Sequence, residues 1–238
     1  MRACSLPLIV ILLALAGAAV AQSISLTRFE DQVRAYESAD RADPPPRNAV
    51  VAVGSSTIRL WNTIATDLAP IAPVLERGFG GSTAVELEYY LDRLVLVYAP
   101  RAVLIYTGEN DVASGFTPQQ IADTMRLILV RIRTQQPGAR RYVVSIKPSI
   151  LRWSQWERAR QANALLKALC AEGLCRYIDA ATGLLGADGR PRPDYYATDQ
   201  LHLSAAGYAA WTKAIKPALL ADESRRPKPP DNLRIGTG

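Results

Sequence analysis

His202 is the only histidine in the 238 residues of the chain. It stands three positions after a carboxylate in the stretch Tyr196-Ala197-Thr198-Asp199-Gln200-Leu201-His202-Leu203-Ser204. Imidazole is the side chain whose ordinary pKa suits proton transfer near neutral pH. At this spacing Asp199 can bond one ring nitrogen and leave the other facing a nucleophile, the orienting role of a triad acid. A histidine that merely closes a loop before a helix would show the same local sequence. The nucleophile and the donors that steady developing negative charge must therefore come from elsewhere in the chain.

Three earlier stretches qualify, each just beyond an apolar run. In Val53-Gly54-Ser55-Ser56-Thr57-Ile58-Arg59-Leu60-Trp61 a serine at a strand-to-helix turn presents its hydroxyl at the rim of a sheet. Its own N–H then lies at a helix N-terminus, where negative charge is stabilised. A serine that only caps the helix is the alternative, and no G-x-S-x-G elbow is present. In Arg77-Gly78-Phe79-Gly80-Gly81-Ser82-Thr83 the glycines permit positive φ and close backbone approach, so an N–H could face an oxyanion; a tight turn alone would use them equally. In Thr107-Gly108-Glu109-Asn110-Asp111 an amide at a strand end is a neutral donor to developing charge, or the pivot of an Asx turn.

The elements that must position these loops alternate. A first helix carries Leu26, Phe29, Val33 and Tyr36 at helical spacing with Ser25 as its cap, and Asp43-Pro44-Pro45-Pro46 links it to a strand over 48–54. Helix 56–68, strand 74–77, helix 82–98 and strand 102–107 follow. Thr117-Pro118 opens the next helix as N-cap and first turn. Strand 142–146, helix 153–171, strand 176–179 and a last helix from Ser204 complete the series. Five apolar strands separated by helices predict an α/β domain, one parallel sheet with helices on both faces.

Residues 1–21 read as an export signal: Arg2, then an apolar run from Leu6 to Ala21, then Ala19-Val20-Ala21 as the cleavage site. The run is about sixteen residues, short of the roughly 20 that span a bilayer. The expected location is periplasmic or secreted, without stable membrane insertion after cleavage. Residues 22–47 then form the N-terminal helix and Pro-rich linker, 48–221 the α/β domain, and 222–238 a disordered basic tail. Cleavage also removes Cys4, leaving Cys170 and Cys175, which can form a local disulfide in an oxidising compartment or remain free thiols. The formal net charge is +6, with the basic residues scattered and not interleaved with aromatics, which disfavours nucleic-acid binding. Two cysteines and one histidine, without H-E-x-x-H or a Cys-x2-Cys pair, do not make a zinc site unaided.

The order of these four loops, each beyond a strand, resembles the SGNH hydrolases, also called the GDSL-type esterase and lipase family. The resemblance covers residues 48–220 and is strengthened by Ser145-Ile146-Lys147-Pro148-Ser149, which looks like a subgroup of small bacterial members. It implies a single three-layer α/β/α, flavodoxin-like domain that needs no cofactor or metal. It also implies Ser56, Asp199 and His202 as catalytic residues, with Ser56, Gly81 and Asn110 forming the oxyanion hole. The family's G-D-S is here Gly54-Ser55-Ser56, so Ser55 is a second, weaker candidate for the nucleophile.

The implied reaction is ester hydrolysis through an acyl-enzyme. The absence of a long apolar insertion favours short acyl groups, and Trp61, Trp153, Trp156, Tyr195 and Tyr196 could supply a stacking face for a sugar, although aromatics so spaced more often pack the core or rim. The expected partner is thus a small-molecule or carbohydrate ester; the oligomeric state is left open. Acyl transfer to a cell-wall or exopolysaccharide sugar, and a non-catalytic carbohydrate-binding module on the same fold, are the rival readings.

Overall fold

The computed structural model describes residues 25–223. The expected signal segment 1–21, and the tail beyond Glu223, lie outside the described residues. Helix α1 (Glu30–Ala42) precedes strand β1 (Val50–Gly54), followed by α2 (Ser56–Arg59), α3 (Ile64–Leu68) and β2 (Val74–Gly78). Helices α4 (Ala84–Tyr89) and α5 (Leu91–Leu94) lead to β3 (Ala102–Tyr106), α6 (Glu109–Ala113) and α7 (Pro118–Gln135). Strand β4 (Arg140–Val144), α8 (Trp156–Ala171), β5 (Arg176–Ile178) and α9 (Ala205–Glu223) complete the chain.

All strand pairings in the sheet are parallel, and the order is β2-β1-β3-β4-β5. Because successive side chains leave a strand on opposite faces, one apolar run builds two cores. Val51, Val53, Val103 and Ile105 pack with residues of α4, α5, α7 and α8, including Leu87, Leu91, Met125, Leu129 and Leu166. Val50, Ala52, Leu104 and Tyr106 pack on the opposite face with Ile58, Trp61, Trp211 and Ile215. This is the three-layer arrangement the alternating sequence demands.

The register positions the chemistry. Gly54 pairs with Gly78 on one side and with Tyr106 on the other, so β1, β2 and β3 end level. The order reverses between β1 and β3, and crevices at such reversals are where open α/β sheets place their ligands.

Several sequence boundaries move. The first helix starts at Glu30 and is not capped by Ser25, whose hydroxyl lies 3.4 Å from that of Thr27; Glu30 and Asp31 instead place negative charge in its first turn. The helix expected over 56–68 is two pieces, because the Asp67 carboxylate gathers the Trp61 indole N–H and the Thr63 hydroxyl, both at 2.6 Å, into a turn. The helix expected over 82–98 is α4, α5 and a 3-10 turn at Leu96–Tyr98. β-Branched Val95 and Val97, then Pro100, do not favour its continuation. Helix α9 runs through Asp222 and Glu223, so the tail expected from 222 begins too early.

Candidate active site

Gly54, the last residue of β1, has φ +144°, and a Cβ there would fall 1.8 Å from the Tyr106 carbonyl oxygen. Only glycine lets the chain turn this close to β3. Ser55 follows in extended geometry, buried, and its N–H donates to that same carbonyl at 3.1 Å. Ser56 then opens α2 and faces the rim, which places it, rather than Ser55, at the crevice.

The loop before α9 presents His202 from the other side. Asp199 folds back on its own backbone: Oδ1 accepts the N–H groups of Leu201 and His202, each at 2.9 Å, and Oδ2 lies 2.6 Å from His202 Nδ1. The hydrogen bond to His202, reinforced by those two backbone donors, holds the Asp199 carboxyl down at about 2, so it is an anion at neutral pH. An anionic acceptor at Nδ1 puts that proton on Nδ1 in the neutral ring and leaves Nε2 as an acceptor. Nε2 lies 3.0 Å from Ser56 Oγ, across 146 residues of sequence.

Gly81 has φ +84°, is exposed, and a Cβ there would meet nothing within 4 Å. Among the described residues, the N–H groups of Ser56 and Gly81 have no protein acceptor. Asn110, in the first turn of α6, is held at both ends of its amide. Nδ2 donates to the Ser82 carbonyl at 2.9 Å, and Oδ1 accepts from Arg152 Nη1 at 3.0 Å. Since a guanidinium only donates, this contact fixes which end of the amide is which and leaves the second Nδ2–H free.

A buried charge network underlies these loops. Lys147, just after β4, donates from Nζ to Glu109 and, at 2.7 Å, to the Leu201 carbonyl one residue before His202. Glu109 also accepts from the Tyr106 hydroxyl at 2.9 Å. Burial pushes the Lys147 ammonium down while the Glu109 carboxylate opposes that shift. Asp111, buried beside Asn110, accepts the N–H of Ala84 at 2.8 Å, and burial raises its carboxyl to about 6.

The structure thus brings Ser56, Asp199 and His202 into one hydrogen-bonded chain and joins Cys170 to Cys175 in a disulfide at the end of α8. Of the five aromatics that could either stack on a sugar or pack the core, two are core: Trp61 stacks on Tyr208 and Tyr196 is buried, leaving Trp153, Trp156 and Tyr195 partly exposed. Glu109, Arg152 and Asp111 received no role from the sequence. Lys147 was visible only as part of a short motif, since nothing local tells a buried lysine from a solvated one.

Comparison with known proteins adds the family. Residues 50–210 match the GDSL-like Lipase/Acylhydrolase family. A GDSL-like lipase from Bacteroides thetaiotaomicron is similar in structure with a TM-score of 0.67 at 18% identity, covering 80% of this chain and 98% of that one. A chain from Streptococcus pneumonia gives 0.72 at 18%, covering 82% and 94%. A catalytic mutant of an acetylxylan esterase from Geobacillus stearothermophilus gives 0.60 at 15%, covering 73% and 93%. At such identities the likeness establishes the fold, and no curated protein matches the sequence. The family match over most of the chain establishes more: this chain belongs to the GDSL-like Lipase/Acylhydrolase family, the SGNH hydrolases.

Proposed function

We propose that this chain is an exported serine esterase that cleaves short-acyl esters, acetylated carbohydrates above all, through an acyl-enzyme. The observation that carries the reading is the 3.0 Å approach of Ser56 Oγ to Nε2 of a His202 ring held through Nδ1 by Asp199. Ser56 Oγ attacks the ester carbonyl carbon while Nε2 takes its proton. The tetrahedral oxyanion lies against the N–H groups of Ser56 and Gly81 and the free Asn110 amide hydrogen. Collapse breaks the carbon–alkoxide bond, and the imidazolium returns the proton to the leaving alcohol. Water then attacks the acyl-enzyme with His202 again as base, releasing the acid and restoring Ser56.

The substrate class is argued from a groove that none of the triad or oxyanion-hole residues lines. About 580 Å³ in volume, it runs beside the β5 edge, lined by Trp153 and Trp156 with polar Lys167 and Asp179. Planar rings among hydrogen-bonding groups suit a sugar better than an alkyl chain. The acetylxylan esterase relative is in keeping with this reading. Export is in keeping with the Cys170–Cys175 bridge, since disulfides persist in oxidising compartments.

The test is turnover of p-nitrophenyl acetate and acetylated xylo-oligosaccharides, paired with labelling by a fluorophosphonate probe. Ser56→Ala should lower kcat by at least about 10⁴-fold and abolish labelling. An unchanged rate would remove Ser56 from the reaction. A product carrying the acyl group on an added acceptor sugar, with no free acid, would reassign the protein as an acyltransferase.

A further inference from the structure

The stretch before β1 lies outside the family match, which begins at residue 50, yet it reaches the candidate site. It runs antiparallel to β2 and the loop that follows. Asp40 pairs with Arg77, and the Tyr36 hydroxyl donates to the Gly78 carbonyl at 2.5 Å. Phe29 sets its ring edge-on to Phe79 with centroids 5.1 Å apart. At the tip, Arg28 Nη2 donates to the Gly81 carbonyl at 3.0 Å and to Glu86 Oε2 at 2.9 Å, while Nε also bonds Glu86.

Glu86 makes that tip more than a surface contact. Its side chain is wholly buried, and Arg28 is its ion-pair partner among the described residues. The same carboxylate accepts the N–H and hydroxyl of Thr83 at 2.8 and 2.9 Å, closing the capping box that starts α4. One guanidinium therefore ties the carbonyl of Gly81 to the helix start that ends its loop. Gly81 itself has positive φ, no side chain and no packed neighbour at its Cβ position, so little else fixes its orientation. Preorganised donors are effective because they need not reorient during reaction.

We infer that Arg28 is a positioning residue for the oxyanion hole, and that the N-terminal arm 28–42 is part of the catalytic apparatus rather than an appendage to the domain. Arg28 acts through Gly81 and touches no reacting atom. The inference rests on the proposed esterase reading only for its kinetic consequence.

Arg28→Met keeps the stem and removes the charge and every donor; Arg28→Lys keeps the charge but not the fork. With p-nitrophenyl acetate, Arg28→Met should lower kcat about tenfold, equal to about 1.4 kcal/mol of barrier, with KM changed less than twofold. Arg28→Lys should fall between it and the wild type. Hydrogen exchange followed by mass spectrometry supplies a readout free of activity: amides of residues 78–86 should exchange faster in Arg28→Met, while those of β3 and β4 stay protected. An unchanged kcat in the folded variant, or a loss carried wholly by KM, overturns the inference while leaving the esterase intact. An inactive wild type whose 78–86 amides still loosen in Arg28→Met would instead overturn the esterase and keep the arm's hold on the loop. Unchanged exchange overturns the arm in either case.

Discussion

Lys147→Met is the sharpest test of how the site is supported. The Lys147 side chain has no solvent exposure, and its ammonium holds both the Glu109 carboxylate at 3.0 Å and the Leu201 carbonyl at 2.7 Å. Methionine fills a similar volume but makes neither contact. Removing one partner of a buried ion pair costs about 3–5 kcal/mol, because the remaining charge stays desolvated. Here Glu109 would keep the Tyr106 hydroxyl and the Arg152 guanidinium, 3.8 Å away. The expected loss is therefore at the lower end, about 3 kcal/mol. The double variant Glu109→Gln with Lys147→Met leaves no wholly buried charge unpaired, only the partly exposed Arg152, and should lose only about 1–2 kcal/mol. Urea unfolding followed by tryptophan fluorescence measures both. Because Leu201 adjoins His202, kcat should also fall in the single variant. A Lys147→Met protein less than about 1 kcal/mol below wild type, with the double variant losing the sum of the two single losses, would refute the claim that this pair acts as a unit.

Two further outcomes concern stability alone. The Asp111 carboxyl, raised by burial to about 6 from its ordinary 3.8, binds its proton more tightly in the folded chain than in the unfolded one. Its contribution is present below about pH 4 and lost as pH rises to about 6, amounting to about 3 kcal/mol. Asp111→Asn, which keeps an acceptor for the Ala84 N–H, should flatten that part of the stability–pH curve; a curve parallel to wild type would place the proton elsewhere. Replacing Cys170 and Cys175 together by alanine should cost about 2 kcal/mol, the modest value expected for so short a loop. Equal urea midpoints for the oxidised wild type and the double variant would show that the bridge adds nothing.

What could be read from the sequence was local or periodic. Apolar runs at strand length, separated by helical spacing, define a parallel sheet with two covered faces, and the observed order β2-β1-β3-β4-β5 is one such arrangement. The spacing of Asp199 and His202 is that of a turn which closes on its own backbone, so the carboxylate and the ring meet through short-range geometry. Helix interruptions at Leu60–Thr63 and Val95 escaped the reading because Asp67 and the β-branched stretch act within an apolar pattern that looks continuous.

The rest needed tertiary structure. Ser56 and His202 lie 146 residues apart, and one comes to lie 3.0 Å from the other because the start of α9 packs on α2 and the turn after it, with Tyr208 stacked on Trp61 and bonded to the Thr57 carbonyl. Whether Lys147 is solvated or buried, whether Trp61 faces a sugar or Trp211, and whether Arg28 reaches Gly81 all depend on which surfaces the fold presses together. Composition and spacing fix what each side chain can do; burial and long-range contact decide its partners, because desolvation and hydrogen bonding act only between groups the closed chain has brought together.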